Sequence, residues 1–295
     1  MIFSTYIFNF YYAFFDIFLE LPKDVCYTDL MEKLINLLET RTESSSEETS
    51  ILHFHNGYEF IFLTEGQVKI EIDSVIHTAC APSVILLNPF EQHKICEQSE
   101  VYTRTVLVLN ADELERNVSL HLISRLKCRP NGFRHIRTPD DNSFEQICKM
   151  IMLIKAEEKN KGFFFDKYIQ NTVYNLLILI CRFQKEEVHY NKNLMLIQSE
   201  IDKNYAQIET IQQLADRYYI SQGHLSRTFK EFTGYSPAEY LQNTRMHHAV
   251  RLLSCSDMSV KEICRAVGYR DINNFTRQFK KRFGVSASQL RKDFR

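Results

Sequence analysis

The pattern that most limits how this chain can fold runs from Ser221 to Gly234 and recurs fifty residues later, from Asp271 to Gly284. Leu225 pairs with Phe275, Arg227 with Arg277, Phe229 with Phe279, Lys230 with Lys280 and Gly234 with Gly284. The apolar match breaks once, where Phe232 faces Arg282 and Phe283 stands one residue on. Spacings of three and four residues predict two short helices, each with an apolar stripe behind and a polar, basic face in front.

Flanking signals extend this into an all-helical region. Thr210/Gln213, Ser236/Glu239, Ser259/Glu262 and Ser286/Gln289 have capping-box spacing, in which a hydroxyl accepts from an orphan amide and the later side chain reaches back. Pro237 sits at a first helical position, where a missing N–H is harmless. The expected elements from Asn191 onward are a short helix, a pair (211–218 and 221–232), a long connector (237–253) and a second pair (260–267 and 271–283).

Charge separates this region from the rest. Residues 191–295 hold 17 Lys+Arg and 10 Asp+Glu, a net of +7, while the remainder holds 19 and 27, a net of −8. A basic helical module attached to an acidic partner points to nucleic acid. In a helix-turn-helix the second helix enters the major groove and the first crosses the backbone. The faces placed to do so are Gln222, Gly223, Ser226, Arg227 and Lys230, then Asn273, Thr276, Arg277, Lys280 and Lys281. Arg can take guanine O6 and N7 together, Asn adenine N6 and N7, and lysines suit phosphates.

Residues 194–295 resemble the DNA-binding domain of AraC/XylS-type transcriptional regulators. The resemblance is carried by Ile220 to Pro237, by Arg245, Ala249, Leu252 and Leu253, by Val260 to Tyr269, and by Asn274 to Ser286. It implies base contacts from the front positions and a phosphate contact by Arg245. Two departures stand out: Gly223 replaces a larger side chain, and Ala287 stands where the family usually has Pro.

Before this region the period differs. Residues 59–64, 67–73, 84–87 and 103–109 read as short strands, the first two joined by a hairpin-like turn at Gly66, which predicts a small antiparallel barrel or sandwich. Phe144, Ile147, Cys148, Ile151 and Ile154 mark one helical face, and 165–183 a second, more apolar helix fitted to pack on the barrel or on its counterpart in another subunit. This half resembles, less specifically, the cupin-like sensor domain of the same family. His53, His55 and Glu59, with Gly66 beyond and His93 after Asn88-Pro89, match the first metal motif of cupins without its flanking glycines. They are read as an effector pocket; a metal ion there is the lesser alternative, and no cofactor is expected.

The eight cysteines are dispersed with no C-x-x-C pair, which fits reduced thiols and excludes a zinc ribbon. Residues 2–19 are apolar and aromatic, but they lack a basic n-region and a small-residue cleavage site, and Asn9 and Asp16 interrupt them. They are read as an extension ahead of the true start. Met31, opening a helix over 31–39, is the candidate start, and 42–50 is a polar linker.

The expectation is therefore an α+β chain. It comprises an extension and linker (1–50), a cupin-like sensor barrel (51–125), a helical connector or dimerisation region (126–190) and a double helix-turn-helix domain (191–295). Its function would be sequence-specific, effector-responsive transcriptional regulation in the cytoplasm, not catalysis. The expected partners are double-stranded DNA, a small-molecule effector, a second copy of the chain and, as an option, RNA polymerase, with no membrane. The alternatives are a metal-dependent cupin enzyme with an accessory helical domain, and a constitutive DNA-binding protein whose barrel is an oligomerisation scaffold.

Overall fold

The structure, a computed structural model, describes residues 34–43, 52–129, 133–183 and 191–293. The apolar stretch 2–19 and the proposed start at Met31 lie outside the described residues. The chain divides into two compact units, one of residues 1–126 and 134–187, the other of 127–133 and 188–295.

The first unit is built on β2 (Gly57–Glu65), whose residues from Gly57 to Leu63 are all buried. It is a central strand of an antiparallel sheet ordered β1-β7-β2-β5-β8, with β1 at Ile35–Glu43, β5 at Ser83–Leu87, β7 at Tyr102–Asn110 and β8 at Ile136–Arg137. A second sheet is ordered β4-β3-β6, from Val75–Cys80, Gln67–Ile72 and His93–Gln98. The α+β class holds, and the strands form two open sheets in place of a closed barrel. Side chains alternate across β2 with period two. Tyr58, Phe60 and Phe62 join a core with the helices α1 (Ala111–Asn117), α2 (Leu120–Lys127), α3 (Asp141–Asn160) and α4 (Phe165–Arg182). Ile61 and Leu63 join a second core with Val68, Ile70, Ile72 and Ile95 of the smaller sheet. Glu59 shares that face, so a carboxylate lies between the two sheets.

Three expectations are corrected here. The helix read at 31–39 is strand β1 from Ile35 onward, because its apolar run fits either period and β7 offers a free edge. Thr40 Oγ1 meets Thr105 Oγ1 at 2.6 Å, and Thr42 of the expected linker accepts from Thr103 at 3.2 Å. The hairpin at Gly66 is not one: β2 pairs with β5 and β7, β3 with β4 and β6, so the turn carries the chain from one sheet to the other. The 126–190 connector divides, with α3 and α4 packed on the large sheet and Lys127–Phe133 grouped with the helical unit.

The helical unit contains α5 (Lys192–Asn204), α6 (Ile211–Arg217), α7 (Gln222–Thr233), α8 (Pro237–Cys255), α9 (Val260–Ala266), α10 (Ile272–Phe283) and α11 (Ala287–Asp293). Its starts follow the sequence signals. Full capping boxes close α8 (Ser236, Glu239) and α9 (Ser259, Glu262), while Thr210, Ser221 and Ser286 each accept from the amide three residues on. Asp271 accepts from the Asn273 and Asn274 amides at 3.0 Å. Both reader helices end on a left-handed glycine, Gly234 (φ +86°) and Gly284 (φ +75°).

The two glycines are not equally constrained. The Arg129 amide donates to the Thr233 carbonyl at 2.8 Å, which lays Arg129 over the end of α7. A Cβ on Gly234 would land on the Arg129 carbonyl, whereas one on Gly284 meets nothing within 4 Å. Gly284→Ala is expected to cost only the left-handed backbone penalty, about 1–2 kcal/mol. Gly234→Ala adds a backbone clash and should cost roughly 2–4 kcal/mol. Denaturant unfolding of both variants checks this, and equal losses would remove the Arg129 contact as the cause.

Candidate functional site

The two reader helices are held from behind. Leu225, Phe229 and Phe232 of α7 are buried, as are Phe275, Phe279 and Phe283 of α10. Phe229 meets Tyr240 of α8 edge-on at 5.5 Å, and Gln242 of α8 donates to Gln278 of α10 at 2.7 Å. With the apolar stripes fixed, the opposite faces are presented to solvent. Gln222, Gly223, Arg227 and Lys230 are exposed on α7 with Ser226 half-buried, and Asn273, Thr276, Arg277, Lys280 and Lys281 are exposed on α10. Arg277 donates to Asn274 at 3.2 Å across one turn, an exposed contact. A Cβ at position 223 would meet nothing within 4 Å, so Gly223 is not demanded by packing at that atom.

Arg245 is half-buried on α8. Its Nε donates to the Tyr205 carbonyl at 3.0 Å and a terminal nitrogen to the Ile208 carbonyl at 2.6 Å, with the guanidinium over the Tyr269 ring at 5.6 Å. The charge closes the end of α5 against α8 and the second turn. Two of its donors thus serve backbone carbonyls, a structural role beside the expected phosphate contact.

Two exposed groups beside α7 were absent from the sequence reading. His224 stands on its first turn. Tyr219, in the turn before it, is 96% exposed with φ +56°. A bulky residue at positive φ is strained, and strain of this kind gathers at functional positions. The turns also differ: α6 has its C-cap at Tyr218 and α7 its N-cap at Ser221, whereas α9 has its C-cap at Val267 and α10 its N-cap at Asp271, one residue longer.

In the sheet unit, the histidine motif does converge, though not on a regular strand. His53 and His93 exchange backbone hydrogen bonds (3.0 and 2.9 Å), and the Phe90 amide donates to the His55 carbonyl at 2.9 Å. The 53–55 segment is thereby laid antiparallel to 90–93. His55 Nε2 lies 2.5 Å from Glu59 Oε2, and His93 Nε2 3.2 Å from the same oxygen. His53 packs edge-on against the His93 ring at 4.3 Å, outside the set whose polar atoms meet. Glu59 is 7% and His93 3% exposed. Burial pushes the Glu59 carboxyl up, but His93 and His55 outweigh it and hold it well below the usual range. Burial pushes His93 down, and Glu59 outweighs that and raises it. The buried carboxylate therefore stays ionised and calls for positive charge beside it.

Comparison with known proteins bears on both units. A helix-turn-helix domain family matches residues 214–293. The lactose operon transcription activator of Staphylococcus xylosus is 32% identical over 154 residues, 52% of this chain and 55% of its own, so this chain spans about half of that relative. The transcriptional activator RhaS of Escherichia fergusonii is 24% identical over 251 residues, covering 81% of this chain and 86% of its own. In fold, the chain is similar to ToxT of Vibrio cholerae (TM-score 0.51, 15% identity, 87% of this chain and 98% of that one), and a second ToxT structure of TM-score 0.50 and 14% identity was solved bound to a naphthalenyl butenoic acid. Residues 214–293 thus match a helix-turn-helix domain family, and the chain is similar over half its length or more to proteins named as transcriptional activators.

Proposed function

We propose that α7 and α10 are the DNA readers of this regulator, entering successive major-groove segments about 34 Å apart on one side of the duplex. The observation that carries the reading is the repeated geometry itself: an exposed polar-basic face set against a buried apolar stripe, twice in one unit. Gln222, Ser226, Arg227, Asn273, Thr276 and Arg277 would meet base edges, and Lys230, Lys280 and Lys281 phosphates. Arg245 supports the readers from within.

The sheet unit is the part that responds to a small-molecule effector and biases the reader unit or the subunit arrangement. ToxT, which shares the fold, was solved with a small carboxylic acid, which supports that role. The effector pocket is kept at His53, His55, Glu59 and His93. A homodimer is favoured by apolar groups exposed on α3 and α4, namely Met152, Leu153, Tyr168 and Ile178, with Phe163 and Phe164 at the bend between them. The chain acts in the cytoplasm and without catalysis; among the described residues no helix is long and apolar enough to cross a membrane. Residues 51–125 with α3 and α4 serve as the sensor, and 191–295 as the reader.

Three substitutions separate the roles. Arg277→Ala should weaken binding to the cognate site by about 1–3 kcal/mol and relax specificity at one base pair. Equal loss on cognate and random DNA would remove Arg277 from base readout. Lys280→Ala should weaken binding across sequences and flatten the salt dependence of the binding constant by about one charge. Arg245→Ala should instead lower unfolding stability by roughly 2–4 kcal/mol, since two carbonyls lose a charged donor. A normal melting profile with a reduced salt slope for that variant would point to the phosphate contact instead.

A further inference from the structure

We propose that His55, Glu59 and His93 bind a divalent transition-metal ion through His55 Nε2, one Glu59 oxygen and His93 Nε2. The polar atoms of these three side chains lie within 4.8 Å of one another, the convergence a small ion requires. Two histidines and one carboxylate form a borderline donor set, suited to zinc, cobalt or ferrous iron and poorly suited to calcium or magnesium.

The stronger argument lies in how His93 is oriented. Its Nδ1 lies 2.9 Å from the Glu91 carbonyl, an atom that can only accept, so Nδ1 carries a proton and donates. In the neutral ring Nε2 then presents a lone pair to the Glu59 carboxylate 3.2 Å away. Two acceptors facing each other in a buried place repel unless positive charge lies between them. Buried and without a hydrogen-bond partner of its own, Nε2 is aimed into the cluster. A backbone carbonyl on one imidazole nitrogen, which fixes the tautomer and leaves the other nitrogen to the ion, is the usual outer-shell arrangement of a ligating histidine. Glu91 is itself fixed, its carboxylate accepting from the Asn88 amide at 2.8 Å.

The set is built by parts of the chain far apart in sequence. Glu59 comes from the inter-sheet face of β2, His93 from the first residue of β6, and His55 from the segment bonded to residue 90. Three protein donors leave coordination positions open, so a small oxygen- or nitrogen-bearing ligand could complete the ion's shell. The rival occupant of the space between Nε2 and Glu59 is a proton on His93, and the experiment must separate the two.

The full chain, purified without a metal column and stripped with chelator, is titrated with Co²⁺ and then with Zn²⁺. The expected result is one equivalent of Co²⁺, with visible ligand-field absorption, no thiolate charge-transfer band, displacement by Zn²⁺ and a raised melting temperature. Glu59→Gln removes the charge and His55→Gln a less buried donor. Each should weaken Co²⁺ binding by about 100-fold or more, with far-UV dichroism unchanged. Sub-stoichiometric binding, a thiolate band, or affinity unaltered in either folded variant would overturn the proposal, leaving the proton as the cation in the cluster. If one variant fails to fold, the other decides. This site shares residues with the proposed effector pocket, so mobility shift on operator DNA is run separately. That measurement reports on the reader helices, and either reading can fail alone.

Discussion

The presentation of both reader helices depends on what α8 holds behind them. It packs against α5, α7, α9 and α11, and through Gln242 it reaches α10. The apolar stripes of α7 and α10 supply the driving force, since burying each phenylalanine contributes roughly 1.5–3 kcal/mol. Hydrophobic contact alone is non-directional, however, and a reader helix must be held at a fixed angle. Direction comes from polar contacts at the ends of α8's neighbours. Arg245 ties the last turn of α5 to α8, and Asp202 of α5 receives both Lys127 (2.9 Å) and the Tyr240 hydroxyl (3.1 Å). Gln198 adds a bond to the same hydroxyl at 3.1 Å. The front faces are free to be polar because the backs and ends are so fully committed.

The other unit solves a different problem. A strand buried on both faces should read as a continuous apolar run, and β2 does so except at Glu59. An ionised carboxylate between two sheets is unfavourable by several kcal/mol unless paired, and the chain answers with two imidazoles on one oxygen. That answer limits everything near it. The turn at 88–91 must be tight to bring His93 back, Phe90 adopts φ +62°, and the 53–55 segment must lie alongside. A purely structural core would have used an aliphatic residue at position 59, as at Ile61 and Leu63 on the same face.

How much of this the sequence discloses follows from how local each signal is. Helix starts are local: Ser236, Ser259 and Asp271 bond to amides two or three residues away, and each was legible. The buried phenylalanines were legible for the same reason, their period being that of the helix. The convergence of His55, Glu59 and His93 was legible as spacing, although His53 falls outside it. What escaped is non-local. Leu34, Ile35, Leu37 and Leu38 suit a helix or a strand, and only the open edge of β7 decides. Whether Gly66 closes a hairpin or moves the chain between sheets depends on strands still to come. Arg245 looks like any basic residue until the carbonyls of Tyr205 and Ile208, forty residues back, are found beneath it. Strand β4 gives a weak pattern because four of its six residues are exposed.

The repeat that organises the reader unit is also where the two copies part. On α10, Arg277, Lys280 and Lys281 share their helix with no acidic residue, while on α7 Arg227 and Lys230 share theirs with Glu231, the counterpart of Lys281. A phosphate approaching α7 meets a carboxylate that one approaching α10 does not, so the electrostatic attraction common to all sequences is weaker at the first reader. Gly223 likewise offers no side chain where α10 offers Asn273. Against this, an exposed Tyr219 and His224 stand beside α7, and the turn before α7 is one residue shorter than the one before α10. The second copy is the stronger anchor by charge. The first copy carries less positive charge, and its carboxyl end is closed by Arg129, whose carbonyl a Cβ on Gly234 would strike.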